Sequence, residues 1–233
     1  MKFLVDQIQC GIFLSAFDHL PRTKLRVIDV VVETIPELAE VDPIILPQGD
    51  NFPAEIPTVI LRHATGQGWL FQYAPARCDF VYTVTQPTQS DQLTDLLTQM
   101  KSFITQCWER FQSEFGWQSP RLGLVVNFSA LSERPSQLIT ERYFQEGLVN
   151  QPTQALLGYM THEIPQNSPP LNHWVRVQTH PLGEPKSASI ALNVDINTDN
   201  QTEFSVTPAS LSKFFDDGQQ LIAKDLKFHE ERL

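Results

Sequence analysis

The sequence SDQLTDLLTQMKSFITQCWERFQSEFG, residues 90–116, places its large apolar residues three and four positions apart. That spacing puts them on one broad face of an α-helix. Ser90 is a suitable N-cap, and Gly116 is a suitable residue to end the helix. We therefore predict a long amphipathic helix whose apolar face is buried against a large part of the core. The residues of its apolar face are Leu93, Leu96, Leu97, Met100, Phe103, Ile104, Cys107, Trp108, Phe111 and Phe115.

The residues before this helix alternate between apolar and polar side chains, as half-buried strands do. Residues 3–17 and the β-branched run at 24–35 are predicted to be strands that pair across a loop at 18–23. Residues 36–57 contain five prolines and are predicted to form an extended surface loop. Residues 58–84 are predicted to form a three-stranded meander, because turn signals interrupt their alternation twice.

The second half of the chain loosely repeats this order of elements. Thr207 followed by Pro208 predicts an N-cap and a proline at the first helical position, and the final helix should run to about residue 231. The patterns before it predict a shorter helix at 136–146 and strands at 121–129, 153–164, 171–180 and 187–197.

These elements predict an α+β fold with a mostly antiparallel curved sheet and two long amphipathic helices. Residues 1–118 and 119–233 each consist of strands followed by a long helix, and we predict that the two halves fold as one unit. Two interpretations of the repeat stay open. It is either a diverged duplication of a strands-then-helix unit or a single α+β sandwich whose symmetry is coincidental.

The composition argues against several classes of partner. The net charge of the 233 residues is −10, from 17 basic and 27 acidic residues, and no basic stripe is present, so direct nucleic-acid binding is disfavoured. No run of 18 apolar residues could span a membrane, and polar residues interrupt the start of the chain too early for a signal peptide. We predict a cytoplasmic protein whose acidity serves solubility or meets a basic partner.

The residues that could carry chemistry form no recognised catalytic motif. Cys10, Cys78 and Cys107 lie far apart, each in an apolar pattern, which predicts buried and inert thiols. No histidine belongs to an HExxH or HxH pattern, and residues 195–206 lack the glycine and glutamate of a calcium loop. We predict no catalytic residue, no metal site and no cofactor, while a site assembled from distant carboxylates stays open.

Aromatic residues on the predicted strands are the candidates for binding. One interpretation places them in the core against the helices. The other makes one sheet face an aromatic surface that binds a partner segment or an apolar ligand. The candidate binding residues are Trp69 and Tyr73, which share a face of one strand, Arg77 beside it, and Trp174 and Arg176, which share a face of another.

Residues 51–84, NFPAEIPTVILRHATGQGWLFQYAPARCDFVYTV, carry two short phrases, PAEIP at 53–57 and PARCDF at 75–80. With the β-branched run before them and the long helix after them, the pattern covers about residues 25–115. It resembles a sporadically distributed bacterial family of uncharacterised proteins. The resemblance implies no known activity and no catalytic residues, and such a distribution is typical of mobile-element, conflict or defence contexts.

The favoured hypothesis is a non-enzymatic protein that binds another protein through the sheet or an acidic surface, as an accessory subunit in a bacterial conflict or defence system. The alternative is a small-molecule-binding or hydrolytic α+β protein with a pocket between sheet and helix. A third hypothesis is self-association through edge strands or the last helix. An enclosed polar cavity with converging His, Asp or Arg side chains would favour the alternative. A filled core with an exposed aromatic patch would favour the binding protein.

Overall fold

The computed structural model describes residues 1–15, 21–47, 53–63, 65–145, 152–166, 168–179, 189–199 and 204–233. Within them the chain forms nine strands in one antiparallel sheet and four α-helices. The strands are β1 Leu4–Phe13, β2 Ile44–Ile45, β3 Val59–Arg62, β4 Gly68–Ala74, β5 Arg77–Gln89, β6 Arg121–Leu131, β7 Leu156–Glu163, β8 Leu171–Thr179 and β9 Ser189–Thr198. The helices are α1 Pro21–Thr34, α2 Leu93–Phe115, α3 Pro135–Tyr143 and α4 Pro208–Arg232.

The order of strands across the sheet is β2-β3-β4-β5-β1-β6-β9-β8-β7, with β1 and β6 paired at its centre. In each half the first strand lies beside the last strand of that half, and the intervening strands follow outwards in reverse order. Each half is also built as strand, helix, strands and long helix. The predicted α+β class with a mostly antiparallel curved sheet is confirmed, and the shared topology is what a duplication would produce. The division at residues 118 and 119 stays a prediction.

Helix α2 confirms the long helix predicted from residues 90–116. Its buried residues are those of the predicted apolar face, and Gly116 ends it in the left-handed conformation, with φ 66° and its N–H donating to Gln112 O at 2.9 Å. The predicted N-cap was two residues too early. Ser90 begins a short 3-10 turn, and the N-cap is Gln92, which makes no side-chain cap bond.

The β-branched run at 24–35 is a helix, so its prediction as a strand was wrong. Val27, Val30 and Val31 of α1 and Ile35 directly after it are fully buried, and the last three lie three, four and eight positions after Val27. That is the spacing of a helix face, and α1 packs beside α2. Tertiary packing therefore overrides the modest helix penalty of β-branched side chains. Strand β1 consequently pairs with β5 and β6 and not with this run.

The remaining elements largely follow the predictions. Strands β3, β4 and β5 form the expected meander, and α3 lies within the predicted shorter helix. Thr207 caps α4 as predicted, in a capping box with Ser210, and Pro208 is the first helical residue. His180 and the ends of two predicted strands at 180 and at 187–188 lie outside the described residues.

All four helices lie in one layer on one face of the sheet. Helix α2 packs against α1 and α4, and α4 also packs on β6 and β9. The strand residues that point to this layer are buried and mostly apolar, including Ile8, Leu124, Val194 and Val175. No helix among the described elements covers the opposite face, which we call the open face. One core therefore lies between sheet and helices, and a broad sheet surface faces outwards.

Candidate functional site

The open face is polar at its centre. Alternation along each strand places every second side chain there, and the pairing registers bring these side chains into rows across the sheet. Its amide side chains are Gln7 and Gln9 of β1, Gln72 of β4, Asn127 of β6, Asn172 and Gln178 of β8, and Asn193 and Asn197 of β9. Its charged side chains are Asp6, Arg62, Arg77, Asp79, Arg121, Arg176 and Asp195.

One row of hydrogen-bonded side chains crosses four strands. Asn193 Nδ2 donates to Asn127 Oδ1 at 2.8 Å, and Asn127 Nδ2 donates to Gln7 Oε1 at 3.4 Å. Gln7 Nε2 in turn donates to Thr83 Oγ1 at 3.2 Å. Each amide thus orients the next, so that this row presents a fixed set of donors and acceptors.

Two paired glycines form a low floor at the centre of the open face. Gly11 of β1 lies opposite Gly123 of β6. A Cβ at Gly11 would be 3.2 Å from Asp79 Oδ1, and one at Gly123 would be 2.8 Å from Asn197 Oδ1. A side chain at either position would crowd the Asp79 or Asn197 side chain that lies over the backbone there. The floor therefore brings a carboxylate and an amide together across four strands.

Arg77 belongs to a closed ion-pair network beside this floor. Its Nε donates to Asp79 Oδ2 at 2.6 Å, and Gln9 Nε2 donates to the other carboxylate oxygen at 3.1 Å. Asp79 is buried although it lies on the open face. Both oxygens of this carboxylate are therefore used within the protein.

Arg121 lies on the other side of β1 and is not paired in this way. Its guanidinium carbon is 4.8 Å from the centroid of the Phe13 ring, and its Nε is shielded from solvent without a hydrogen-bond acceptor. The nearby Asp195 accepts a bond from Asn197 Nδ2 at 2.5 Å. Burial raises the pKa of Asp195, and the charges of Arg176 and Arg121 partly oppose that shift. Arg121 thus influences this carboxylate without forming an ion pair with it.

The candidate residues chosen from the sequence fall into two groups. Trp69 and Tyr73 are only 3% and 2% exposed, and they face the helices. Their interpretation as a binding surface was wrong, because these rings fill the core against Phe103 of α2 and Trp117, at 5.6 and 5.3 Å between ring centroids. The core interpretation, which the sequence left open, holds for them.

Trp174 and Arg176 lie on the open face as neighbours on β8. Trp174 is 39% exposed, and the Arg176 guanidinium carbon lies 5.9 Å from its ring centroid. Met160 of β7 is the cross-strand neighbour of Trp174 and is also exposed. An exposed aromatic patch with an arginine therefore exists at this side of the sheet, and whether it binds a partner stays a prediction. Arg77 is on the same face but several strands away.

The arginines of the open face differ from the basic residues of the helix side in their pairing. The side chains of Arg62, Arg121 and Arg176 form no hydrogen bond or ion pair with any described residue. The strands of the described open face carry four arginines and three aspartates, with Asp199 directly after β9, in a chain of net charge −10. Most basic residues of the helix side are paired: Lys2 with Glu230, Arg26 with Glu114, Lys101 with Asp216, Arg110 with Glu33, and Lys213 with Asp217.

A second polar cluster lies on the helix side, between α4 and the strands β7 and β8. His173 Nε2 donates to Asp225 Oδ2 at 2.6 Å, and both residues are buried. His173 Nδ1 lies 3.2 Å from Thr161 Oγ1, whose other neighbour is Glu163 Oε1 at 2.9 Å. The single proton of Thr161 can serve one of these two acceptors.

The same cluster continues through a second buried histidine. Burial raises the pKa of Tyr143 to about 12, so its O–H donates to His229 Nδ1 at 2.6 Å. Burial also lowers the pKa of His229 to about 4, and its Nε2–H then donates to the Tyr159 oxygen at 3.3 Å. Tyr159 O–H completes the chain at Asp225 Oδ1, 3.5 Å away, and burial raises its pKa as well. Each proton thus has one acceptor, and the negative charge rests on Asp225.

This cluster has the residue types of a catalytic triad: a hydroxyl on Thr161, a histidine in His173 and an orienting carboxylate in Asp225. Thr161 is exposed, so a substrate could reach its hydroxyl. A cleft of about 150 Å³ lies near it, lined by Glu163, Ile164, Pro165, Asp217, Gln220 and Leu221. That volume is below the roughly 300–1,000 Å³ of typical ligand pockets. Neither Thr161 nor His173 lines this cleft. The cluster therefore satisfies buried polar groups without a described cavity that converges on it.

The thiols and potential metal ligands carry little further chemistry. Cys10, Cys78 and Cys107 are free and buried, as predicted, and burial raises the pKa of all three, to about 12 for Cys107. Among the described residues, no group of three or more His, Cys, Asp or Glu side chains is arranged to hold a metal ion. No described helix is both long enough and apolar enough to cross a bilayer.

Comparisons with known proteins assign no family. The sequence matches no protein-family model and no curated protein. The regulatory subunit of aspartate kinase from Thermus flavus aligns with 93% of this chain and 94% of that chain, at 9% sequence identity and a TM-score of 0.22. A similarity of this size carries no argument about fold or function. The resemblance of residues 25–115 to a bacterial family stays a prediction.

Sequence reasoning missed three residues of the open face, Phe13, Arg62 and Arg121. Arg62 and Arg121 could have been found from the alternation of β3 and β6, in which the arginine is out of phase with the buried residues. The position of Phe13 between two arginines could not, because Arg77 and Arg121 are its neighbours only through the pairing of β1 with β5 and β6. That pairing joins residues more than 60 positions apart.

Proposed function

We propose that this protein is a non-enzymatic binding subunit whose open face recognises an acidic segment of another protein. The observation that supports the proposal most is the set of three arginines that pair with no described residue, on a sheet face that no described helix covers, in a chain of net charge −10. Arginine and tryptophan are the residues most enriched in the binding hot spots of protein interfaces. An unpaired arginine on the interface gains strongly from a partner carboxylate, because both oxygens can be bound at once.

The spacing of the arginines favours a macromolecule over a small ligand. Arg121 and Arg176 are two strands and six residues apart in the register, which is about 22 Å on a flat sheet. Arg62 is four strands and four residues from Arg121, or about 24 Å. A small molecule cannot reach two of these positions together. An extended or folded partner surface can.

The charge balance favours an acidic protein over a nucleic acid. Proteins that bind nucleic acids commonly neutralise about 6–10 phosphates. The open face has four arginines, of which Arg77 already pairs with Asp79. The other three guanidinium groups, which pair with no residue in the described part of the chain, match a few carboxylates better than a continuous phosphate backbone. A role for this subunit in a bacterial conflict or defence system belongs to the same proposal and is supported by the family resemblance alone.

The test is an affinity pull-down of the tagged protein from its native host, with the mass of any complex measured by light scattering. The test variant is Arg62→Ala/Arg121→Ala/Arg176→Ala. The control is Lys101→Ala/Lys224→Ala/Lys227→Ala, which removes the same charge from the helix side. We expect a stoichiometric partner with an acidic segment to be retained by the wild type and the control and lost by the test variant. Binding should weaken as salt rises.

Three results would contradict the proposal. A partner retained by the arginine variant would place recognition on another surface. Loss of the complex after nuclease treatment would show that the partner is a nucleic acid and not an acidic protein. A clean monomer or homodimer with nothing bound would move the function towards the second candidate.

The second candidate is a hydrolase that uses the helix-side cluster. One observation favours it, namely the line of hydrogen bonds from the exposed Thr161 through His173 to Asp225. The test measures hydrolysis of p-nitrophenyl acetate by the wild type and by Thr161→Val, which keeps the shape of the side chain and removes its hydroxyl. A rate above the background that Thr161→Val abolishes would establish this candidate. Equal rates for both proteins would exclude Thr161 as the nucleophile for this ester.

A further inference from the structure

Arg77 and Arg121 lie on either side of the Phe13 ring. Both are cross-strand neighbours of Phe13, one on β5 and one on β6. Arg77 has its carboxylate in Asp79 at 2.6 Å. No described residue accepts a hydrogen bond from Arg121 Nε, and that atom is shielded from solvent as well. A shielded N–H without an acceptor loses its bonds to water and gains nothing in exchange.

We infer that Arg121, supported by Phe13, is the receptor for a single carboxylate of the partner, and this inference rests on the proposed function. Its guanidinium carbon lies 4.8 Å from the centroid of the Phe13 ring, a contact that supports one face of the planar group and leaves its Nη groups to a ligand. When the guanidinium turns onto a carboxylate, Nε–H and one Nη–H bind its two oxygens side by side. The carboxylate thereby supplies the hydrogen-bond acceptor that the Arg121 Nε–H lacks in the free protein.

Two carboxylates of the open face do not pair with Arg121. The charge of Arg121 lowers the pKa of Asp195, but one oxygen of Asp195 is held by Asn197 at 2.5 Å and the carboxylate lies beyond ion-pair distance of Arg121. Asp79 is already saturated by Arg77 and Gln9. Neither of these two carboxylates therefore forms an ion pair with Arg121.

The experiment follows the Arg Nε–H signals of the ¹⁵N-labelled full-length protein by NMR while sodium acetate is added. Sodium chloride at equal ionic strength is the reference, and inorganic phosphate is a second probe. The signal of Arg121 is assigned by its loss in Arg121→Lys. We expect a saturable shift of the Arg121 signal with acetate, a much smaller shift of Arg62, and no comparable change with chloride.

The outcomes separate this inference from the proposed function. Equal shifts with acetate and chloride, or no shift at Arg121, would overturn the carboxylate receptor even if a partner is lost in the triple arginine variant. A stronger response to phosphate than to acetate would also overturn it. An acetate response at Arg121 combined with a partner that the triple variant retains would support the receptor and contradict the proposed function. Phe13→Leu should weaken the acetate response without abolishing the fold, because it removes the ring and keeps an apolar side chain.

Discussion

His229 is a buried imidazole whose neighbours allow only its neutral form. It accepts from Tyr143 and donates towards Tyr159, and its pKa is lowered from 6.5 to about 4, chiefly by burial. Asp225 opposes that shift and Arg232 adds to it. A proton on His229 Nδ1 would place two hydrogen-bond donors face to face, because the Tyr143 O–H already points at that nitrogen. The cluster is therefore arranged for one protonation state, which makes it sensitive to acid.

Acidification should destabilise the protein through His229. Because the pKa is lower in the folded state, the unfolded chain binds the proton first, so the contribution is fully present above pH 6.5 and is lost as the pH falls towards 4. At a pH below both pKa values, the lowered pKa of His229 corresponds to a loss of about 3 kcal/mol in the free energy of unfolding. Urea unfolding at pH 7.0 and 4.5 should show the wild type losing about 2–3 kcal/mol more than His229→Gln. Equal losses for the two proteins would mean that His229 does not control this dependence.

Helix α4 depends on a glycine where it crosses the sheet. A Cβ at Gly218 would lie 3.0 Å from Leu124 Cδ2 and 3.7 Å from Ile196 Cδ1. Glycine inside a helix costs roughly 0.5–1 kcal/mol relative to alanine, so close packing must outweigh that penalty here. The glycine lets the helix axis approach β6 and β9 directly. The same approach lets Asp225 and His229 of α4 reach β7 and β8 in the second polar cluster.

Enlarging this position should separate α4 from the sheet. Gly218→Leu is expected to lower the free energy of unfolding by about 1–3 kcal/mol, because the core around Leu124 is already filled. Ala223→Leu, on the exposed side of the same helix, should change it by less than about 0.5 kcal/mol. Urea unfolding of the two variants gives the comparison. A similar change in the free energy of unfolding for both variants would show that the effect comes from leucine in the helix and not from contact with the sheet.

The success of sequence prediction differed between elements for physical reasons. Helix α2 was predictable because its apolar face, its length and Gly116 all indicate the same structure. Helix α1 was not, because its β-branched residues favour strands locally while packing against α2 favours a helix. On the open face, Trp174 and Arg176 followed from alternation alone. The Arg121–Phe13 contact did not, since it depends on β1 and β6 being neighbours at the centre of the sheet.

At the scale of the whole molecule, the two halves share the centre of one sheet. Strands β1 and β6 pair over nine residues of each, and α2 packs against α4 in the helix layer. Trp108 of α2 donates through Nε1 to Val206 O at 3.1 Å, just before α4 begins. Cutting the chain between the halves would expose two central strand edges and both helix faces. These contacts argue that neither half has a complete core of its own.

We therefore expect the chain to unfold in a single cooperative transition. Three tryptophans, Trp69, Trp108 and Trp117, are buried in the first half, whereas Trp174 of the second half is partly exposed, so fluorescence follows mainly the first half. Circular dichroism follows the helices of both halves. Urea curves from the two probes should coincide, and fragments 1–118 and 119–233 should not fold when expressed separately. A fluorescence transition displaced from the circular dichroism transition, or a folded fragment, would instead show two independent domains, and each half would then have to bury its central strand edge without the other.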